Sequence, residues 1–241
     1  GQDDARQELR VGFELLGRSL EALDPHEFLK SDPDLWLYFY EDFLAAYDPK
    51  LRQNYGVYYT PREVVELQVR LVSELRETRV GKHLGFADDG VVFLDPAVGT
   101  GTYPVAAIKD GLERVRTRSG QGAVSGRARQ MAHNMHGFEI LVGPYAVAHL
   151  RLTQALEGAI NAGKADDEPK ERLGNRLNIY LADTLASPNV TPPGGLTLTH
   201  QKLTDEHEAA RRVKNTGDIL VCLGNPPYDR QMKENADDQT R

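Results

Sequence analysis

Four short apolar runs recur along the chain: VVFLD at 91–95, MHGFEI at 135–140, NIYLAD at 178–183 and DILVCLG at 218–224. Each has the length of a buried strand, and stretches with helical spacing follow the first two, TYPVAAIKDGLERV and PYAVAHLRLTQALEGA. A parallel pair of strands needs a crossover between its members, usually a helix. Strands alternating with helices therefore predict an α/β fold with a mostly parallel sheet and helices on both faces. Such a sheet binds its ligand beyond the carboxyl ends of the strands, near the point where strand order reverses.

The residues at those ends follow a pattern. The first run ends in Asp95-Pro96-Ala97-Val98-Gly99-Thr100-Gly101, the second near Glu139, the third in Asp183 and the fourth in Asn225-Pro226-Pro227-Tyr228. Gly99 and Gly101 allow a tight turn and a close approach of backbone to ligand. A dinucleotide fingerprint needs a third glycine where this chain has Pro104, which argues against a nicotinamide dehydrogenase. Asp95, standing before the loop, would repel a pyrophosphate. The pattern suits a ligand with an amino or cationic group and no phosphate. An acid after the second strand accepts from ribose hydroxyls, the role expected of Glu139. Glu139 lies 40 residues past Gly99 rather than the ~20 of a minimal unit, and the Gly/Arg stretch between them accounts for the excess. Asp183 is placed to accept from an exocyclic amino group, or simply caps a turn with Thr184.

Upstream, residues 1–55 read as a helical extension. Leu9, Phe13, Leu16 and Leu20 recur at helical spacing, and Leu35, Tyr38, Phe39, Phe43, Leu44 and Tyr47 give an aromatic-rich helix. The second domain is expected over 56–241. Thr60-Pro61 opens a helix, with Thr60 as N-cap, Pro61 as first helical residue and Glu63 completing a capping box. Residues 117–129, TRSGQGAVSGRAR, read as a basic loop that is solvated or touches a phosphate backbone. Residues 161–175 read as a charged linker and 186–198 as irregular.

Composition narrows the class. No apolar stretch approaches the ~20 residues of a membrane helix, and the polar start GQDDARQELR is no signal peptide, so a cytoplasmic protein with no membrane partner is expected. One cysteine excludes a disulfide framework and a Cys-rich zinc site, and the histidines lack metal-ligand spacing, so no metal is expected. The net charge of −7 does not suit a surface that grips nucleic acid all over. Either nucleic acid is not the substrate, or the main DNA-gripping part lies outside this chain, which ends in the polar tail ENADDQTR and reads as a fragment.

The segments YYTPREVV, DPAVGTGTY, GFEI, LAD and GNPPY stand in the order and spacing of the amino-methyltransferases that act on adenine in DNA. The chain resembles the group whose cofactor motif precedes the catalytic motif, as found in restriction–modification proteins. FLAAYDPKLRQNYGVYYTP and GFEILVGPYAVAHLRL look most like the large single-chain systems that join nuclease, translocase, methylase and specificity parts. The resemblance covers residues from about 35 to 228. It implies a Rossmann-like methyltransferase fold and S-adenosylmethionine as cofactor. By position, Tyr58, Tyr59, Thr60 and Pro61 would line the methionine side, and Asp95, Pro96, Ala97, Gly99, Thr100 and Gly101 would surround its amino and carboxyl groups. Glu139 would hold the ribose, Ile140 would lie against the adenine ring, and Asp183 would reach the adenine amino group. The implied partners are double-stranded DNA with a flipped adenine, held through a target-recognition domain outside this chain, and nuclease or translocase domains of the same polypeptide.

The amino group of adenine is a poor nucleophile because its lone pair is delocalised into the ring. A site helps by accepting its N–H bonds. Asn225 offers a side-chain oxygen and Pro226 a backbone carbonyl, whose direction the Pro226-Pro227 pair fixes. Tyr228 offers a face on which a flipped base stacks, worth ~1–3 kcal/mol. Direct attack on the methyl carbon needs no covalent intermediate, and Cys222 reads as core. Two rival readings keep the fold: methylation of a protein glutamine amide or an RNA guanine, and a cofactor-binding scaffold without catalysis.

Overall fold

The computed structural model describes residues 60–165, 167–187, 198–215 and 219–227, with side chains of 198–203 excepted. These residues belong to the second of two compact units, Tyr40–Arg241. The expected extension over 1–55, together with Tyr58, Tyr59 and Tyr228, lies outside the described residues.

Among the described residues, four strands form the sheet: β1 (Phe93–Asp95), β2 (Met135–Glu139), β3 (Asn178–Leu181) and β4 (Val221–Cys222). Their order is β3-β2-β1-β4 and every pairing is parallel. Phe93 stands opposite Met135 on one side and Val221 on the other, and His136 stands opposite Asn178. All four carboxyl ends therefore lie along one edge. Sequence order runs outward from β1 through β2 to β3, then returns to the far side of β1 for β4. The reversal falls between β1 and β4, the place where sheets of this kind bind their ligands.

Among the described residues, five helices accompany the sheet: α1 (Arg62–Val80), α2 (Thr102–Ser119), α3 (Val124–Asn134), α4 (Val142–Ile160) and α5 (Leu198–Asn215). Strand side chains alternate between two cores, as a period of two requires. Phe93, Ile179 and Val221 join Val65, Val69, Ile108, Leu112, Leu152 and Leu156 in the larger core, which α1–α4 cover. Phe138, with Leu94 and Tyr180 beside it, faces Ala210 and Val213 of α5 on the opposite side. Helices on both faces of a parallel sheet are what the strand–helix alternation predicts.

Three local expectations are corrected. The helix expected to start at Thr60 begins at Arg62, with Pro61 as the N-cap in extended conformation (φ −51°, ψ 132°) and no side-chain cap. The Pro61 carbonyl takes the first helical bonds, from Val64 and Val65, while the Thr60 hydroxyl is engaged elsewhere. The basic stretch 117–129 is no loop. It finishes α2, makes a short 3₁₀ turn at Gln121–Ala123 and enters α3. Val124, Ala128 and Met131 recur at helical spacing and are buried, and the space around Gly126 is open, so glycine there obstructs nothing. Cys222, read as core, is exposed. Val221 turns toward the larger core, and alternation sends Cys222 to the opposite face.

Candidate active site

Asp95 ends β1 with no exposed surface. Its Oδ1 accepts the Ala97 N–H at 3.0 Å, and its Oδ2 is buried with no hydrogen-bond partner. Burial pushes its carboxyl up to about 7, the Ala97 N–H pulls it down, and the nearby Glu139 charge raises it further. A fully buried carboxylate oxygen without a donor is costly unless a ligand supplies one.

The loop after Asp95 is held from three sides. The Val98 N–H donates to the Phe138 carbonyl at 2.9 Å, which lays the loop over the end of β2. Gly137 makes room for it: a Cβ there would meet Val98 at 3.0 Å and Ile179 at 2.9 Å. Gly101, at φ +84°, lies against α4, where a Cβ would meet Leu152 at 2.6 Å. Arg151 of α4 is buried and donates to the Thr100 carbonyl at 2.8 Å. The sequence reading gave Arg151 no role; its only signal was an arginine on an otherwise apolar helix face. Gly99, at φ +53°, differs from its neighbours, since a Cβ there would meet only the Ala97 carbonyl, at 4.0 Å. Open space above a positive-φ glycine is what a close ligand approach requires.

Glu139 ends β2 and binds the same loop. Its Oε2 accepts the Gly99 N–H at 2.9 Å and its Oε1 accepts the Leu141 N–H at 2.8 Å. Burial raises its pKa, and the Leu141, Gly99 and Ile140 backbone N–H groups oppose that. A carboxylate has about four lone-pair sites, so two N–H bonds leave capacity for hydroxyls. The next residue, Ile140, is 52% exposed, an apolar surface at the rim of the site.

Asp183 follows β3 and is exposed. Its Oδ1 accepts the Leu185 N–H at 2.8 Å, the turn cap that was the plainer of the two expectations. Thr184 donates its hydroxyl to the Pro96 carbonyl, tying this turn to the loop after β1.

At the end of β4, the Leu223 N–H donates to the Leu94 carbonyl at 3.0 Å. Gly224 then passes so close to Asp95 that a Cβ would stand 2.2 Å from Oδ1. Only glycine fits, a requirement the sequence reading did not assign. Asn225 comes next and donates Nδ2–H to the Thr60 Oγ1 at 2.9 Å, across 165 residues of sequence. Pro226 and Pro227 are exposed. Partial burial and then the Asp95 charge raise the Cys222 thiol pKa, which disfavours the thiolate.

The structure thus brings together Thr60, Asp95, Pro96, Ala97, Gly99, Glu139 and Asn225 at the carboxyl edge, linked by direct contacts, with Pro61, Thr100, Gly101, Ile140, Asp183 and Pro226 on the surrounding turns. The arginines of the basic stretch, and Arg114 and Arg116 just before it, are spent on acids. Arg114 pairs with Glu77 and Asp110, Arg116 with Glu113, Arg118 with Glu77, Arg127 with Asp89 and Arg129 with Glu171. A cavity of about 360 Å³ lies at the amino ends of the strands, remote from these residues, lined by Arg129, His133, Arg172 and Arg176 among others. Arg129 and Arg176 are neutralised there by Glu171 and Glu206. Among the described residues no His/Cys/Asp/Glu group has a metal-binding arrangement, and no helix is long and apolar enough to cross a membrane.

Known proteins share this architecture. A DrdV–DNA complex solved by cryo-EM matches 95% of the chain at 26% identity and a TM-score of 0.63. A nuclease-deletion mutant of the Type ISP restriction-modification enzyme LlaGI, in complex with a DNA substrate mimic, matches 78% at 26% identity and a TM-score of 0.54. The ATP-dependent Type ISP restriction-modification enzyme LlaBIII bound to DNA matches 72% at 26% identity and a TM-score of 0.53. The chain spans 19%, 14% and 10% of those three chains. No curated protein sequence matches it. The N-6 DNA Methylase family matches residues 31–241, and with most of its length so covered the chain belongs to that family.

Proposed function

We propose that this chain forms the catalytic core of an S-adenosylmethionine-dependent enzyme that methylates the N6 amino group of adenine in DNA, as the modification part of a restriction–modification polypeptide. The observation that carries the reading is Asp95: a fully buried carboxyl with one oxygen lacking a partner, set at the β1/β4 reversal beneath the open Gly99 turn. That arrangement fits an α-amino group held by Asp95, and it disfavours a phosphate. Glu139 has acceptor capacity for the ribose, Ile140 a flat apolar surface for the adenine, and Asp183 a second carboxylate oxygen for its amino group. Tyr58, Tyr59 and Pro61 are assigned to the methionine side.

Bound there, the cofactor supplies an electrophilic methyl group on a sulfonium. The chain's own residues do the rest. The Asn225 side-chain oxygen and the Pro226 carbonyl accept the two N–H bonds of the target amine and hold its nitrogen in line. Held so, the amine nitrogen would take the methyl group as the carbon–sulfur bond breaks, and the methylated nitrogen would release a proton to solvent. Tyr228 stacks on the flipped base, and the duplex itself is held through a target-recognition domain outside this chain, as the DNA complexes among its structural neighbours suggest.

The test is methyl transfer from labelled cofactor to unmethylated duplex DNA by the full-length polypeptide, with the product nucleoside identified. N6-methyladenine is expected from wild type. Asn225→Ala is expected to bind cofactor within about twofold of wild type while losing roughly 10²–10³ in turnover. Label found in protein or RNA and not in DNA would overturn the reading.

A further inference from the structure

We infer that Lys214 is a positioning residue for recognition of the cofactor's base: by holding the carbonyls of Asp183 and Ala186, its ammonium fixes the turn after β3 and sets the second carboxylate oxygen of Asp183 toward the adenine amino group. The inference rests on the proposed methyltransferase reading and adds a residue to it.

Burial does little to hold the tip of this turn. Asp183 is exposed, and Leu185 is 92% exposed, so the apolar residue of the turn packs on nothing. Hydrogen bonds hold it instead. The Thr184 hydroxyl donates to the Pro96 carbonyl, which ties the turn to the loop after β1. Lys214 Nζ donates to the Asp183 carbonyl at 2.7 Å and to the Ala186 carbonyl at 2.8 Å. These carbonyls bracket the turn, so one ammonium fixes both its entry and its exit. The Leu185 N–H holds Asp183 Oδ1 at 2.8 Å. With its carbonyl and its Oδ1 both tied, Asp183 keeps Oδ2 in a set direction.

Lys214 has a firm base of its own. It lies in the last turn of α5, where a lysine commonly serves the carbonyls of its own helix. This one reaches across to carbonyls 31 and 28 residues earlier. Ala210 and Val213 of α5 pack with buried Phe138, and Glu206 accepts the Leu181 N–H at 3.0 Å, which fixes α5 along β3. The Lys214 ammonium also lies 5.5 Å from the centre of the Phe138 ring, within reach of a cation–π attraction. Phe138 precedes Glu139 in β2, and its carbonyl takes the Val98 N–H. Lys214 thus joins the Asp183 turn to the strand end that carries Glu139. Partial burial lowers the Lys214 pKa and the Asp183 charge opposes that, so the carboxylate is close enough for the ammonium to sense it.

The direction of a carboxylate oxygen can be read through the base. Adenine carries an exocyclic amino group where hypoxanthine carries a carbonyl. Asp183 accepts from the first and repels the second. A merely structural role for Lys214 would weaken adenosyl and inosyl ligands alike; a positioning role changes their ratio.

The experiment titrates the full-length polypeptide calorimetrically with S-adenosylhomocysteine and with S-inosylhomocysteine, the demethylated cofactor and its deaminated form. Wild type is expected to prefer the adenosyl ligand roughly 10–100-fold, as for a hydrogen bond to a charged group. Lys214→Met keeps most of the stem and removes the donors. It is expected to weaken the adenosyl ligand roughly 5–20-fold and the inosyl ligand by less than about twofold. Lys214→Arg keeps the charge and offers parallel donors, and is expected to hold the ratio within a few-fold of wild type. Thermal melting identifies any variant that has lost its fold; should the Met variant not fold, Lys214→Gln takes its place with the same expectation. A wild-type ratio in the folded variant would overturn the positioning role, as would an equal loss of both ligands, and either result leaves the methyltransferase reading intact. Equal binding of both ligands by wild type would take Asp183 away from the base and overturn the inference, with cofactor binding still standing. A wild-type polypeptide that binds neither ligand and methylates no DNA would overturn both.

Discussion

A carboxyl group with no exposed surface and an oxygen lacking a donor raises the free energy of the ligand-free protein, and Asp95 is such a group. Its pKa of about 7 in the fold, against about 4 for an aspartate in water, means that the folded chain holds a proton there which the unfolded chain has released. The contribution to stability is full below about pH 4 and is lost as pH rises through about 7. A cationic ligand reverses the preference, because it binds the ionised carboxylate. Affinity for S-adenosylmethionine is therefore expected to climb as pH rises through about 7, and to fall again above ~8 as the ligand's own amine deprotonates. Asp95→Asn is expected to weaken binding and flatten that slope. Calorimetric titration at several pH values checks both, and a wild-type affinity that ignores pH would contradict the assignment of Asp95.

Residues also mark the limit of what the sequence could say. The places of Asp95, Glu139 and Asn225 at the strand ends were legible because each stands where a short apolar run stops, a local signal. The Thr60 bond to Asn225 was not, because its partners are 165 residues apart and a Thr before Pro looks locally like a helix cap. Arg151 and Gly224 were hidden for the same reason. Their roles lie in what the fold lays against them, the Thr100 carbonyl and the Asp95 carboxylate.

At the scale of elements, the strands and most helices follow from hydrophobic period alone. Helix α3 did not, because glycine, serine and arginine in GQGAVSGRAR suggest a loop. The better signal was Val124, Ala128 and Met131 on one face. The contact between β4 and β1 makes a sharper claim. Gly224→Ala would place a methyl group against a buried carboxylate and against the Pro96 ring, 3.2 Å away. Overpacking of this kind costs about 1–3 kcal/mol, or roughly 2–4 °C of melting temperature per kcal/mol in a chain this size. The penalty is expected to shrink in an Asp95→Ala background, where the nearest atom is gone. Additive losses in that double-mutant cycle would mean that β4 and β1 are not coupled through this contact.

The whole molecule is acidic, and its arginines near α2 and α3 are committed to internal ion pairs. Binding to the DNA backbone depends on unspent positive charge, so the described surface around those helices is poorly suited to grip a duplex. That fits a catalytic core served by other parts of a larger polypeptide, in keeping with the 10–19% of each structural neighbour that the chain spans. On the proposed reading, what such a core must do by itself is hold S-adenosylmethionine. The most direct test is calorimetric titration of the chain with S-adenosylmethionine, with NADH as control and Asp95→Ala as the variant. One-to-one binding of S-adenosylmethionine alone, abolished in Asp95→Ala, is the predicted result. Equal affinity in the variant and the wild type, or binding of NADH in place of S-adenosylmethionine, would contradict it.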